Sequence, residues 1–129
     1  MFNIEKKEID MSAIKLTSAD FKNKVADITK EWKFLGNKPA IIDFYASWCS
    51  PCQRMMPTVH SFATSFGDKI DTYTVNVDDE RELARYFGVR SIPTLVFVPI
   101  DVAPVVSPGM RGDVAEMCAD ARERLGVEL

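Results

Sequence analysis

The run Ala40-Ile41-Ile42-Asp43-Phe44-Tyr45-Ala46 is apolar at both its odd and its even positions, apart from Asp43. A strand with one wet face alternates. A run apolar on both sides of the pleat suits a central strand covered on both faces. Trp48-Cys49-Ser50-Pro51-Cys52 follows at once, and a helical pattern leads away from about Pro51 to Phe66. Two thiols three positions apart therefore lie where a buried strand hands over to the start of a helix.

The remaining sequence supplies the layers that such a strand needs. Ala13 to Leu16 reads as a short strand. Thr17, with Asp20 three positions on, marks a helix start. Phe21, Val25, Ile28, Trp32 and Leu35 then recur at spacings of three and four, predicting a helix that Gly36 and Pro39 end. The helix after the thiols carries Met55, Val59, Phe62 and Phe66 on one stripe. Pro57 falls inside it in phase, so a kink is expected there and not an end. Ile70–Val77 alternates as a strand, and Asp78-Asp79-Glu80 opens a short helix with Leu83 and Phe87 buried. Thr94–Val98 is a strand, Pro99–Pro104 a turn, and Val105-Val106 an edge strand between prolines. Val114, Met117, Cys118, Ala121 and Leu125 form the stripe of a last helix ended by Gly126.

The order β-α-β-α-β-α-β-β-α predicts an α/β fold: a mixed five-stranded central sheet with helices on both faces. At 129 residues the chain is long enough for one compact domain, expected over residues 11–129. Residues 1–10 are polar and charged and are expected to form a flexible tail, with Met11 an equally good start. They lack the apolar core of a secretory signal. No run approaches the roughly 20 apolar residues of a membrane span. With a net charge of −3 and no basic stripe, neither nucleic acid nor a membrane is expected as a partner.

The chemistry resides in the cysteines. Structural zinc takes four ligands, usually two Cys pairs or a pair with two His. Here one pair stands with a remote Cys118 and a single His60, so no metal is expected. Cys118 shares a helical stripe with Val114 and Ala121 and reads as core; His60 reads as surface or packing. A thiolate attacks a disulfide, and a thiolate is stabilised at a helix N-terminus. Cys49, at or just before the first turn, is the expected nucleophile. Cys52, one turn further in, is placed to resolve the mixed disulfide. Pro51 suits an early helical position, where its missing N–H leaves nothing unpaired.

Asp43 needs its own account, because a carboxylate inside a covered strand is costly without a purpose. Burial raises its pKa and leaves it able to exchange a proton near neutrality. Cys52 must lose a proton to attack, so Asp43 is the candidate acceptor. Trp48 flanks the thiols and reads as contact surface. Ile92-Pro93-Thr94 opens a strand with a Pro that can be cis.

Asp43-Phe44-Tyr45-Ala46-Ser47-Trp48-Cys49-Ser50-Pro51-Cys52 resembles the signature of the thioredoxin family. So do Pro57, Asn76-Val77-Asp78 and Val89-Arg90-Ser91-Ile92-Pro93-Thr94, with matching separations, over roughly 14–126. Gly109, sixteen residues after Pro93, falls where the family has a Gly beside its substrate groove. The resemblance implies Cys49 as nucleophile, Cys52 as resolving thiol, Asp43 as buried acid/base and a cis Pro93 against the dithiol. It implies that Trp48, Ile92, Pro93 and Gly109 border the groove for an extended substrate segment. It also implies reduction of protein disulfides in cell redox homeostasis. Electrons would come from an NADPH-dependent thioredoxin reductase, with no cofactor held beyond the redox-active Cys49–Cys52 pair. A cytoplasmic monomer is expected. The rivals are a periplasmic thiol reductant of the same mechanism and a non-catalytic binding module on this fold. An oxidase or isomerase is disfavoured, since those relatives often carry His where Pro51 stands. Two departures bear on tuning. Ser50-Pro51 replaces the commoner Gly-Pro, and Thr74 occupies a position where the family often has a Lys that interacts with the buried Asp. The connection Pro99–Pro104 lacks an Asn-Gly turn and is expected to be longer or differently shaped.

Overall fold

A computed structural model describes residues 12–129. The tail expected over residues 1–10, and the choice between Met1 and Met11 as start, lie outside the described residues. In chain order the elements are β1 (Ile14–Lys15), α1 (Ser18–Lys24), β2 (Ala40–Tyr45), α2 (Ser50–Phe66), β3 (Asp71–Asn76), α3 (Arg81–Tyr86), β4 (Thr94–Val98), β5 (Val105–Pro108) and α4 (Val114–Leu125). The sheet order is β1-β3-β2-β4-β5. β1, β3 and β2 run parallel, and β4 and β5 are antiparallel to their neighbours. This is the mixed five-stranded sheet that the order of elements predicts, with β2 at its centre.

The pleat of β2 decides which side chains meet which layer. Ile41 packs with Leu95 and Phe97 against Met55, Val59 and Phe62 of α2 and Met117 and Ala121 of α4. Ala40, Ile42 and Phe44 point the other way, onto Phe21, Val25 and Leu83 with Val96 and Val98. Each fully buried Ile or Phe contributes roughly 1.5–3 kcal/mol over leaving it in water. The whole strand is covered except its last residue, which is half-buried. Asp43 shares the parity of Ile41, so its carboxylate lies on the α2 side, nearer the cysteine end of the strand.

Helix α1 is shorter than its periodicity predicts. It ends at Lys24, and not near Leu35. The Thr29 amide and hydroxyl both donate to Asp27 Oδ1, at 3.0 and 2.6 Å. Such a local turn competes with helical hydrogen bonding. The Thr29 hydroxyl, then its amide, hold Asp27 below the usual carboxylate range. The chain instead doubles back, and the Leu35 amide donates to the Val25 carbonyl at 2.8 Å. Trp32 keeps its apolar role without a helix, by packing on Tyr86 and Phe87. Thr17 and Gly126 bound their helices as the sequence predicts, and Pro57 does not end α2. Thr17 Oγ1 accepts from the Asp20 amide, α2 continues through Pro57, and Gly126 closes α4 at φ 66°. β5 extends two residues beyond Val106, to Pro108.

Candidate active site

The site forms where β2 delivers the chain to α2. After Tyr45 the backbone tightens, and the Cys49 amide donates to the Ala46 carbonyl at 3.2 Å. Cys49 is the N-cap residue, extended at φ −88° and ψ 106°, with Pro51 in the first turn. Its Sγ accepts from the Cys52 amide at 3.2 Å. The sulfur therefore occupies the place of a capping oxygen, facing the unpaired N–H groups and the positive end of the helix dipole. The reduced thiolate is stabilised by that placement. Cys49 and Cys52 are joined as a disulfide with Cα atoms 5.2 Å apart. Cys49 is 5% exposed and Cys52 is wholly covered, so the two sulfurs differ in access.

Asp43 is fully buried, and neither carboxylate oxygen has a hydrogen-bond partner among the described residues. Its sheet neighbours are Thr74 on β3 and Leu95 on β4. Desolvation pushes its pKa up from the ordinary 3.8 to about 7, and the Arg111 charge works against that rise. A buried carboxyl with two idle oxygens and a midpoint near neutrality can take or give a proton. α2 covers this face through Met55, one helical turn after Cys52.

Two further loops converge on the thiols. The Ile92–Pro93 peptide is cis. Ile92 packs against Ala46, Cys49 and Cys52, and its carbonyl oxygen lies 3.8 Å from Cys49 Sγ. The Gly109 amide donates to the Pro93 carbonyl at 2.9 Å. Gly109 has φ 110°, a conformation that favours glycine. Trp48 is 69% exposed beside the cysteines, and its indole N–H donates to Asp78 Oδ2 at 2.7 Å. Ser50 is exposed and accepts from Arg54 Nη1 at 2.9 Å.

The cysteines, Ser50, Pro51, Trp48, Ile92, Pro93 and Gly109 thus gather at one end of the sheet, with Asp43 set into the strand below. Cys118 is a buried core residue on α4, and His60 Nδ1 accepts from the Ala13 amide at 3.1 Å, well along α2 from the thiols. Among the described residues no cluster of His, Cys, Asp and Glu could hold a metal ion. One member went unread in the sequence: Arg111, which is 6% exposed and sits in the connection between β5 and α4. Gly109-Met110-Arg111-Gly112 looks like an ordinary polar loop. Only the folded chain shows its arginine turned inward.

This arrangement defines a thiol–disulfide oxidoreductase, with an N-capping cysteine, a covered partner and a neutral-range carboxyl on a mixed α/β scaffold. A family model described as Thioredoxin matches residues 12–117. The thioredoxin of Borreliella burgdorferi is 46% identical over 99 residues, which span 75% of this chain and 85% of that one. The thioredoxin of Pyropia yezoensis is 36% identical over 86 residues, 67% of this chain and 73% of that one. A crystal structure of chloroplastic thioredoxin z superposes with a TM-score of 0.71 over 86% of this chain and 92% of that one, at 18% identity. The chain belongs to the thioredoxin family. It is a protein-disulfide reductase whose redox couple is its own Cys49–Cys52 pair. Its substrates are disulfide-bearing proteins, and members of the family typically draw electrons from a thioredoxin reductase. Among the described residues no helix is long and apolar enough to cross a membrane.

Proposed function

We propose that Cys49 attacks, Cys52 resolves and Asp43 carries the proton between resting and resolving states. The Cys49 thiolate displaces one sulfur of the substrate disulfide, which leaves as a thiolate and takes up a proton. A mixed disulfide joins the other substrate sulfur to Cys49. Asp43, as carboxylate, accepts the Cys52 proton. The Cys52 thiolate then attacks Cys49 Sγ and expels the second substrate sulfur as a thiolate, which takes up a proton as Asp43 releases the one it accepted. The substrate gains two electrons and two protons, and Cys49–Cys52 is left oxidised. A reductase, an NADPH-dependent one on this reading, reverses that change.

The observation that carries the assignment is the difference between the two sulfurs, one capping α2 at 5% exposure and one at 0%. Trp48, Ile92, Pro93 and Gly109 border the groove in which an extended substrate strand lies, and Ser50 and Pro51 tune the pair. A domain over residues 11–129, working as a monomer in the cytoplasm, completes the proposal. The test is trapping. Cys52→Ser, incubated with insulin, should accumulate a mixed disulfide through Cys49, and Cys49→Ser should neither trap nor reduce. Trapping by Cys49→Ser through Cys52 would reverse the roles.

A further inference from the structure

Arg111 is the buried charged residue that the exchange chemistry leaves without a role. Its guanidinium makes four hydrogen bonds: Nε to Asp120 Oδ2 at 2.8 Å, Nη1 to the carbonyls of Ser107 at 3.1 Å and Gly109 at 2.9 Å, and Nη2 to Ser107 Oγ at 2.6 Å. It also lies over the Phe97 ring, 5.8 Å from the centroid. Its backbone amide reaches Met55 Sδ on α2 at 3.2 Å. The planar fork is thereby fixed on every side, which a lysine could not achieve.

Two lines run from this fixed group to the thiols. The first is a chain of contacts. Arg111 holds the Gly109 carbonyl, the Gly109 amide holds the Pro93 carbonyl, and the preceding Ile92 carbonyl sits 3.8 Å from Cys49 Sγ. The second is charge. Asp43 is paired in the sheet with Thr74 of β3 and Leu95 of β4, α2 covers its face through Met55, and the Arg111 charge, itself paired with Asp120 of α4, acts on it from a distance. Thr74 and Leu95 bring no charge, and the Cys pair is oxidised. Arg111 is the cation whose field reaches Asp43, and it does so with no hydrogen bond between them.

We propose that Arg111 is a positioning residue for disulfide exchange. It clamps the Gly109 turn against the Pro93 loop, and its positive charge acts on Asp43. The proposal rests on the reading of Asp43 as the proton acceptor for Cys52. The charge favours the carboxylate, the form that can accept that proton. Without it, burial alone would hold Asp43 protonated to higher pH.

The test separates charge from clamp. Arg111→Gln removes the charge and keeps an amide donor; Arg111→Lys keeps the charge and loses the fork. The Asp43 midpoint is followed by carboxyl-carbon NMR in the oxidised full chain, where no turnover is involved. The pH profile of kcat/KM is measured separately with a disulfide peptide. Arg111→Gln should raise the midpoint by on the order of half a unit or more, and the acid limb of the pH profile should move with it. Arg111→Lys should leave the midpoint near that of the wild type and raise KM roughly threefold through the loosened turn. Should Arg111→Gln not fold, Arg111→Met, which suits the same apolar surroundings, must show the same upward shift. An unmoved midpoint in a folded neutral variant overturns the proposal. So does failure of both neutral variants to fold while Arg111→Lys behaves as wild type, which would make the arginine purely structural. If the midpoint moves and the pH profile does not, the Asp43 reading fails and the charge coupling stands.

Discussion

Asp43 and Arg111 are both withdrawn from water, and the fold treats them in opposite ways. Arg111 has four hydrogen bonds, an ion pair with Asp120 and an aromatic ring beneath it. Asp43 has no hydrogen bond to either oxygen among the described residues. A buried charge held by partners has much of its desolvation cost offset, and losing those partners is what destabilises. A buried carboxyl without partners opposes the native state whenever it ionises. On the proposed reading, the difference separates a group that holds the site together from a group that is kept reactive at some expense to stability.

The largest expected effect breaks the symmetry between the two most directly. The folded pKa of Asp43 is raised from 3.8 to about 7. Its contribution is therefore most favourable below the unfolded value and is lost as pH rises through the folded one. That shift corresponds to roughly 4 kcal/mol. Asp43→Asn should accordingly stabilise the oxidised protein by up to about that amount at about pH 8, and leave it nearly unchanged at about pH 4. Urea unfolding at the two pH values reads this directly; equal gains at both would contradict a buried ionisation.

Arg111→Ala should act in the other direction. It strands Asp120, the Ser107 hydroxyl and two carbonyls, and should cost about 2–3 kcal/mol near neutral pH, less than a fully buried pair because Asp120 keeps some contact with water. A stabilised Arg111→Ala protein would show that the network is not what holds this corner. Gly109→Ala tests the turn that the arginine clamps. An added Cβ meets nothing within 4 Å, so the penalty comes from φ 110° alone. About 1–2 kcal/mol of destabilisation is expected, read as a lowered thermal midpoint together with a raised KM. The smallest stability effect is expected at Trp48→Phe, which removes one exposed hydrogen bond to Asp78. Less than about 0.5 kcal/mol should be lost, while kcat/KM for a protein disulfide falls if the indole borders the groove.

The contrast also marks what a sequence can disclose. Asp43 stands out in it because a carboxylate interrupts a run that is otherwise apolar on both faces, and two-residue periodicity is a local property. Cys49 and Cys52 are legible for the same reason, since strand end, spacing and helix start lie within ten residues. The layer order and the position of β2 follow from such local signals. α1 is overextended from the sequence because Ile28, Trp32 and Leu35 keep helical spacing while an Asp27–Thr29 turn captures the backbone. Apolar periodicity records burial, and here Trp32 reaches its aromatic partners from a loop. Arg111 leaves no local trace at all. Its inward turn depends on Asp120, on Ser107 and on a carbonyl freed by the Gly109 conformation, and only tertiary contact assembles that set.

On the proposed reading, Asp43 is kept without hydrogen-bond partners among the described residues so that it can take the Cys52 proton. The rate at which Cys52 resolves a preformed Cys49 mixed disulfide, followed by rapid mixing across pH, tests it most directly. In the wild type this rate should rise as pH increases through about 7, the Asp43 midpoint. In Asp43→Asn the rise through about 7 should be lost and replaced by one at higher pH that follows ionisation of the Cys52 thiol itself, with resolution slowed roughly a hundredfold near neutrality. Superimposable profiles for the two proteins would contradict the account.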